Sequence, residues 1–289
     1  MSSDNLLEKV KKLREITGVG FKDCKNAIDE TKGDIDKSIE LLRKKGIAKA
    51  NKRMDRVAAE GLISISEDKN NFAIVEVNSE TDFVAKNNEF ISFTENVSKI
   101  ALKKSGKIED VLQAEMENKK NVKENLLDLV TKIGEKLTIR RTSYIGNEKC
   151  INFSYVHSSL KKNVGKLGVL LSIETTKNKQ DVLDIGKKLS MHIAASSPLS
   201  IDKNDLNKEI LEKEREIIVE ELKSSGKDSK IVDKIAIGKI TKFINDNTLL
   251  NQEWIMEPKK KVKDIIKETA GKDKIEIKKF IRFKVGEGL

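Results

Sequence analysis

Thr81-Asp82-Phe83-Val84-Ala85-Lys86 follows a strand-like run, Phe72-Ala73-Ile74-Val75-Glu76-Val77, and precedes a helical stripe at Phe90, Phe93, Val97 and Ile100. The hexapeptide therefore sits where a strand hands over to a helix, which makes this part of the chain α+β. There Thr81 or Asp82 can cap free backbone N–H groups. Spacing leaves two placements open for Phe83. A turn can hold the ring off the domain body as a wedge, whereas a continuous helix from Asp82 would bury it on one face with Phe90 and Val97. Asn87-Asn88 argues for a break, because asparagine competes for backbone hydrogen bonds and favours caps and turns.

Upstream, residues 5–46 carry three short helical stripes: Leu6, Val10 and Leu13, then Cys24, Ala27 and Ile28, then Ile35, Ile39 and Leu42. Gly18-Val19-Gly20 forms the first turn, and Gly33 ends one helix as Asp34 caps the next. The pattern resembles a ubiquitin-associated-type module. The run Arg43 to Arg53 has no acid and no stacking aromatic, so it is expected as a basic linker rather than a nucleic-acid site, closing a unit of residues 1–54. Residues 55–141 form a first core subdomain: paired strands at Gly61–Ser66 and Phe72–Val77, helices near Phe90–Leu102 and Val122–Ile133, and a strand at Leu137–Arg141.

A weak internal repeat follows. Val169 to Thr175 echoes the earlier strand with its Glu-Thr exit, and Val182, Ile185, Leu189 and Ile193 echo the Phe90 stripe, but no Phe follows Glu174-Thr175. A second related α+β subdomain over residues 142–195 and 247–289 is expected. Residues 196–246 interrupt it with an antiparallel helical hairpin, either a protein-contact arm or a stabilising appendage. Its legs are marked by Leu206, Ile210, Leu211, Ile217, Ile218 and Leu222, then Ile231, Ile235, Ile240 and Ile244, with a turn at Ser224-Ser225-Gly226.

The chain of 289 residues is 36% charged with net charge +10, and much of its lysine is interleaved with acid, as on solvated helix faces. A basic balance suits nucleic acid, an anionic membrane or an acidic partner. No apolar stretch approaches membrane-spanning length and the start shows no signal core, so a cytoplasmic protein is expected. Cys24 and Cys150 lie far apart without metal-ligand spacing, and His157 and His192 lack a neighbouring ligand, so no metal or cofactor is expected. Asn178-Lys179-Gln180-Asp181 matches a guanine-reading pattern, but without a phosphate loop it reads as a strand-to-helix turn, and no directly bound nucleotide is expected. Gly165-Lys166-Leu167-Gly168 precedes a strand and fails as a phosphate cradle. No catalytic constellation emerges.

Asn78 to Lys86, the segment Leu13 to Ala27, and Phe280-Ile281-Arg282-Phe283-Lys284-Val285-Gly286-Glu287-Gly288 together resemble, in order, the signatures of the elongation factor Ts family. The resemblance implies a guanine-nucleotide exchange factor for elongation factor Tu that makes no covalent bond. It implies Thr81, Asp82, Phe83 and Val84 as the exchange contact near the partner's magnesium and phosphate sites. Lys11, Arg14, Phe21, Lys22 and His157 are implied as docking contacts. The family's coiled-coil insertion matches the hairpin. Two departures stand out: Lys22 occupies an often apolar position, and no C-terminal helical extension is expected after Leu289. The alternatives are a basic RNA-binding translation protein without exchange activity and a ubiquitin-type adaptor.

Overall fold

A computed structural model describes residues 3–51, 53, 55–224 and 229–289. Three helices open the chain, α1 (Ser3–Thr17), α2 (Phe21–Glu30) and α3 (Ile35–Asn51). Val10, Leu13, Cys24, Ala27, Ile28 and Leu42 bury together as their core. Gly33 turns through φ +86°, and Asp34 Oδ1 accepts from the Lys37 amide at 3.0 Å, capping α3 as its sequence implies. One expectation fails here. The basic run is not a linker for most of its length, since α3 continues to Asn51. Arg43 pairs with Glu124 at 3.2 Å, and Gly46 is buried where a Cβ would strike Thr131. The amphipathic pattern of this stretch is completed by a neighbouring helix, which local composition does not reveal.

That neighbour belongs to the first half of the core: β1 (Glu60–Asp68), β2 (Asn71–Ser79), α4 (Asp82–Ala85), α5 (Asn88–Lys103), α6 (Ile108–Gln113), α7 (Val122–Ile133) and β3 (Leu137–Ile145). The second half is β4 (Cys150–Lys161), β5 (Val164–Thr175), α8 (Lys179–Ser196), α9 (Lys208–Ser224), α10 (Ser229–Asn247), β6 (Glu253–Trp254), β7 (Glu257–Lys261), α11 (Val262–Ala270) and β8 (Ile275–Lys284). In each half the strand before the helices is central, β2 between β1 and β3, and β5 between β4 and β8. The repeat suspected from sequence is thus a repeat of topology. All these pairings are antiparallel, and a short β1–β5 ladder at Ile63–Gly165 and Ser64–Val164 fuses the halves into one six-stranded sheet.

Helices cover the outer faces. Phe90, Phe93 and Val97 of α5 pack on Val75 and Val77, while Val182, Ile185, Leu189 and Ile193 of α8 pack on Val169, Leu171 and Ile173. The opposite faces bury Ile63, Ile65, Ile74, Leu170 and Phe283 between the halves. The central position of β2 explains why its alternating pattern is buried on both faces. Gly168 lies at this junction, where a Cβ would approach Ile63 and Ile74 to 2.8 Å, so it serves close packing.

The helical insertion emerges after α8 and returns before β6. Its legs join where the Leu199 amide donates to Asn247 O (2.8 Å) and the Leu249 amide to Ser200 O (2.9 Å). Ile218, Leu222 and Ala236 form its buried seam. The expected stripe is corrected at Ile217, which is 60% exposed, and at Leu206, which precedes α9. Ser225, Gly226 and the side chain of Ile231 lie outside the described residues.

Candidate partner-binding site

Phe83 is 78% exposed, which removes the core placement. A single helical turn, α4, ends when Asn87 starts α5 by accepting from the Glu89 and Phe90 amides at 2.9 and 3.2 Å. This break separates Phe83 from the buried stripe of α5. Val84 and Ala85 face inward, so the turn is nailed down on one side while Phe83 projects from the other. Lys86 lies 5.8 Å from the Phe83 ring centroid and 2.8 Å from Asp82. The hydrogen bond from Lys86 holds the Asp82 carboxyl below its ordinary range.

Thr81 occupies the N-cap position of α4 without capping it. Its amide and hydroxyl instead donate to the two oxygens of Glu135 at 3.0 and 2.8 Å. The neighbouring Glu80 accepts from the Lys136 amide and pairs with Arg56 at 3.2 Å. Burial would raise the Glu80 pKa, but these donors outweigh it and the pKa is lowered. Sequence reading missed Glu135: it lies 54 positions from Thr81, and no local pattern links the two.

The other candidate residues are dispersed. Lys11 and Arg14 are exposed on α1, and exposed Phe21 and Lys22 open α2. Lys132 connects this module to the turn, since its stem lies over Gly18 and its ammonium pairs with Glu89 in the first turn of α5. His157 is exposed on β4, its Nδ1 2.9 Å from the Tyr155 hydroxyl. Its register partner is Leu167, beside Lys166, whose charge contributes to the lowered pKa of Asp82. Val84 does not share the surface of Phe83, being only 7% exposed.

The third motif has a different use. Glu76 is fully buried and accepts from Arg140 (3.1 Å), Arg141 (2.6 Å), Asn78 (3.1 Å) and the Gly286 amide (2.9 Å). Gly286 has φ +73°, and a Cβ there would strike Ala59 O. Phe283 receives the Arg141 guanidinium 4.2 Å from its centroid. This motif clasps the second half to the first.

Asn178 to Asp181 are exposed residues leading from β5 into α8, the turn expected. Cys24 is buried, and desolvation raises its thiol pKa. Among the described residues no group of three His, Cys, Asp or Glu side chains could hold a metal ion, and no helix is long and apolar enough to cross a membrane.

The family model described as Elongation factor TS matches residues 80–287, from the residue before Thr81 through the clasp. The chain belongs to the elongation factor Ts family. It is 40% identical to Elongation factor Ts of Bartonella tribocorum over 97% of this chain and 92% of that protein. It is 39% identical to the protein of that name from Sinorhizobium fredii, with the same coverages, and 36% identical to that of Gluconobacter oxydans, covering 97% and 91%. Such membership places the chain among translation elongation factors, in protein biosynthesis. With 97% of the chain covered, the similarity to these relatives extends into the helical module that precedes the family-model match.

Proposed function

We propose that this protein is a guanine-nucleotide exchange factor for elongation factor Tu, acting by protein binding without covalent chemistry. Family membership supports the activity and the partner. The observation that carries the mechanism is the large exposed ring of Phe83 on a turn held from beneath. Presented to the GTPase near its magnesium and phosphate sites, the Asp82–Phe83 turn inserts a ring and a carboxylate where nucleotide phosphates are normally held.

An exchange factor must bind the nucleotide-free partner more tightly than the nucleotide-bound one, and by reciprocity nucleotide expels the factor with equal strength. A thousandfold weakening of GDP takes about 4 kcal/mol of coupling. Complete burial of one Phe is worth about 1.5–3 kcal/mol. The ring alone therefore falls short. Repulsion between the Asp82 carboxylate and the phosphates adds to it, while docking through Lys11, Arg14, Phe21, Lys22 and His157 anchors the factor and adds coupling only where those contacts differ between the two states of the partner.

Stopped-flow release of fluorescent GDP from elongation factor Tu, with and without this protein, tests the reading. Catalytic acceleration is expected, with no binding of GDP or GTP to the isolated protein by calorimetry. Unchanged GDP release, or stoichiometric micromolar nucleotide binding without the partner, would overturn it.

A further inference from the structure

We propose that Glu135 is a positioning residue for exchange, acting through Thr81 to set the direction in which Phe83 projects; this rests on the exchange reading above. Glu135 follows Gly134, whose left-handed φ of +85° ends α7 and turns the chain toward the exit of β2. Both carboxylate oxygens are taken by one residue, from the Thr81 amide at 3.0 Å and its hydroxyl at 2.8 Å. Two bonds to one residue fix orientation as well as distance.

The turn needs such a support. An isolated helical turn is not self-sustaining, because few backbone bonds offset the ordering of its dihedrals. Here the closing bonds are Lys86 amide to Phe83 O (3.1 Å) and Asn87 amide to Val84 O (2.9 Å), both at the C-terminal side. Val84 and Ala85 anchor the middle by burial. At the N-terminal side Ser79 Oγ donates to Thr81 O at 2.9 Å, and the grip of Glu135 fixes the amide and hydroxyl directly before Asp82. Removing that grip lets Asp82 and Phe83 swing while the core beneath stays intact. Misplacing a group that must meet its target in one geometry lowers rate far more than stability.

Glutamine separates positioning from charge. In the Glu135→Gln variant the side-chain amide oxygen can accept from the Thr81 N–H while the NH2 donates to the Thr81 hydroxyl, which accepts as readily as it donates. The test is stopped-flow GDP release from elongation factor Tu with the full-length variants Glu135→Ala, Glu135→Gln, Phe83→Ala and the Phe83→Ala/Glu135→Ala pair. Glu135→Ala should slow exchange about tenfold. Glu135→Gln should restore most of the rate, and the double variant should be no slower than Phe83→Ala. Faster amide hydrogen exchange at Thr81 and Asp82 in Glu135→Ala alone is the matching local signature. If Phe83→Ala is impaired but Glu135→Ala is not, the positioning role is wrong. Glu135→Gln as slow as Glu135→Ala would assign the effect to charge instead. Additive losses in the double variant would show that Glu135 does not act through Phe83. Full activity of Phe83→Ala would defeat the wedge itself, and the positioning role with it.

Discussion

The exits of β2 and β5 are equivalent points of a repeated topology, yet they are finished in opposite ways. After β2 the chain makes an extra turn that ejects Phe83, and it is supported from beneath by Glu135 and Glu80. After β5 it passes through an extended Asn178 straight into α8. There Glu174 pairs with Lys274 and Lys278, while Thr176 bonds to Asp273 at 2.9 Å, so charges and hydroxyls satisfy one another along the β8 edge. The shared topology supplies a place for a turn. What the turn can do depends on a projecting residue and on a connector that grips it.

The heaviest loss should come from breaking the join between the halves. Glu76→Ala removes the buried carboxylate shared by Arg140, Arg141 and the Gly286 amide, although each arginine keeps a backbone acceptor at Glu287 or Lys284, and should destabilise the protein by about 3 kcal/mol, read as a lower denaturant midpoint. Next in size, Phe83→Ala should slow exchange about 30-fold, the scale of an interface hot spot. Its unfolding midpoint should stay unchanged because the ring is solvated; a large fall in stability would return Phe83 to the core.

Lowering pH should strain the second half at its buried histidine. Buried His192 stacks on Trp254 with centroids 5.2 Å apart, accepts from the Ile255 amide at 3.4 Å, and meets Gln252 Oε1 at 3.0 Å through Nε2. Gln252 donates its own NH2 to Ser196 O and Asp246 O, which assigns the Nε2 proton to the imidazole. Desolvation lowers the imidazole pKa, against the raising effect of the Gln252 bond. The stability it contributes is complete above the unfolded value of about 6.5 and is lost as pH falls through the folded value. Glu80 and Asp82 have lowered pKa values, so the bonds that Glu80 accepts from the Lys136 amide and Asp82 accepts from Lys86 are kept until the pH falls below their ordinary carboxylate range. Fluorescence of the single tryptophan, which stacks on His192, should change as the pH falls below about 6.5. The smallest effect is expected from Asn178→Phe, which adds an aromatic to the second turn without a gripping connector; exchange should proceed at the wild-type rate.

Stripes and turns were legible because their periods are local: the three N-terminal helices, the β1–β2 hairpin and the faces of α5 and α8 all follow from spacing. The Asn87 break was legible for the same reason. The helical course of Arg43 to Asn51 was not, since Arg43 and Gly46 meet Glu124 and Thr131 of α7, far along the chain. Nor was the exposure of Ile217, because two apolar series overlap on α9 and only the partner leg selects one. Of the site residues taken from motif resemblance, Lys11, Arg14, Phe21, Lys22, Phe83 and His157 are exposed, Thr81 and Asp82 are half-buried and Val84 is buried; the supports of the turn lie outside those motifs. Glu135 and the tethered Lys132–Glu89 pair depend on contacts across the fold.

The clasp at Glu76 also orders events in time. Its last donor, the Gly286 amide, lies 210 residues downstream. At roughly 5–20 residues per second, a ribosome takes about 10–40 s to cover that distance. During the interval β2 can pair with its neighbours, but its carboxylate still relies on solvent for one partner, and β5 waits with an open edge for β8. A factor of the elongation cycle thus has a fold whose final closure is timed by elongation itself.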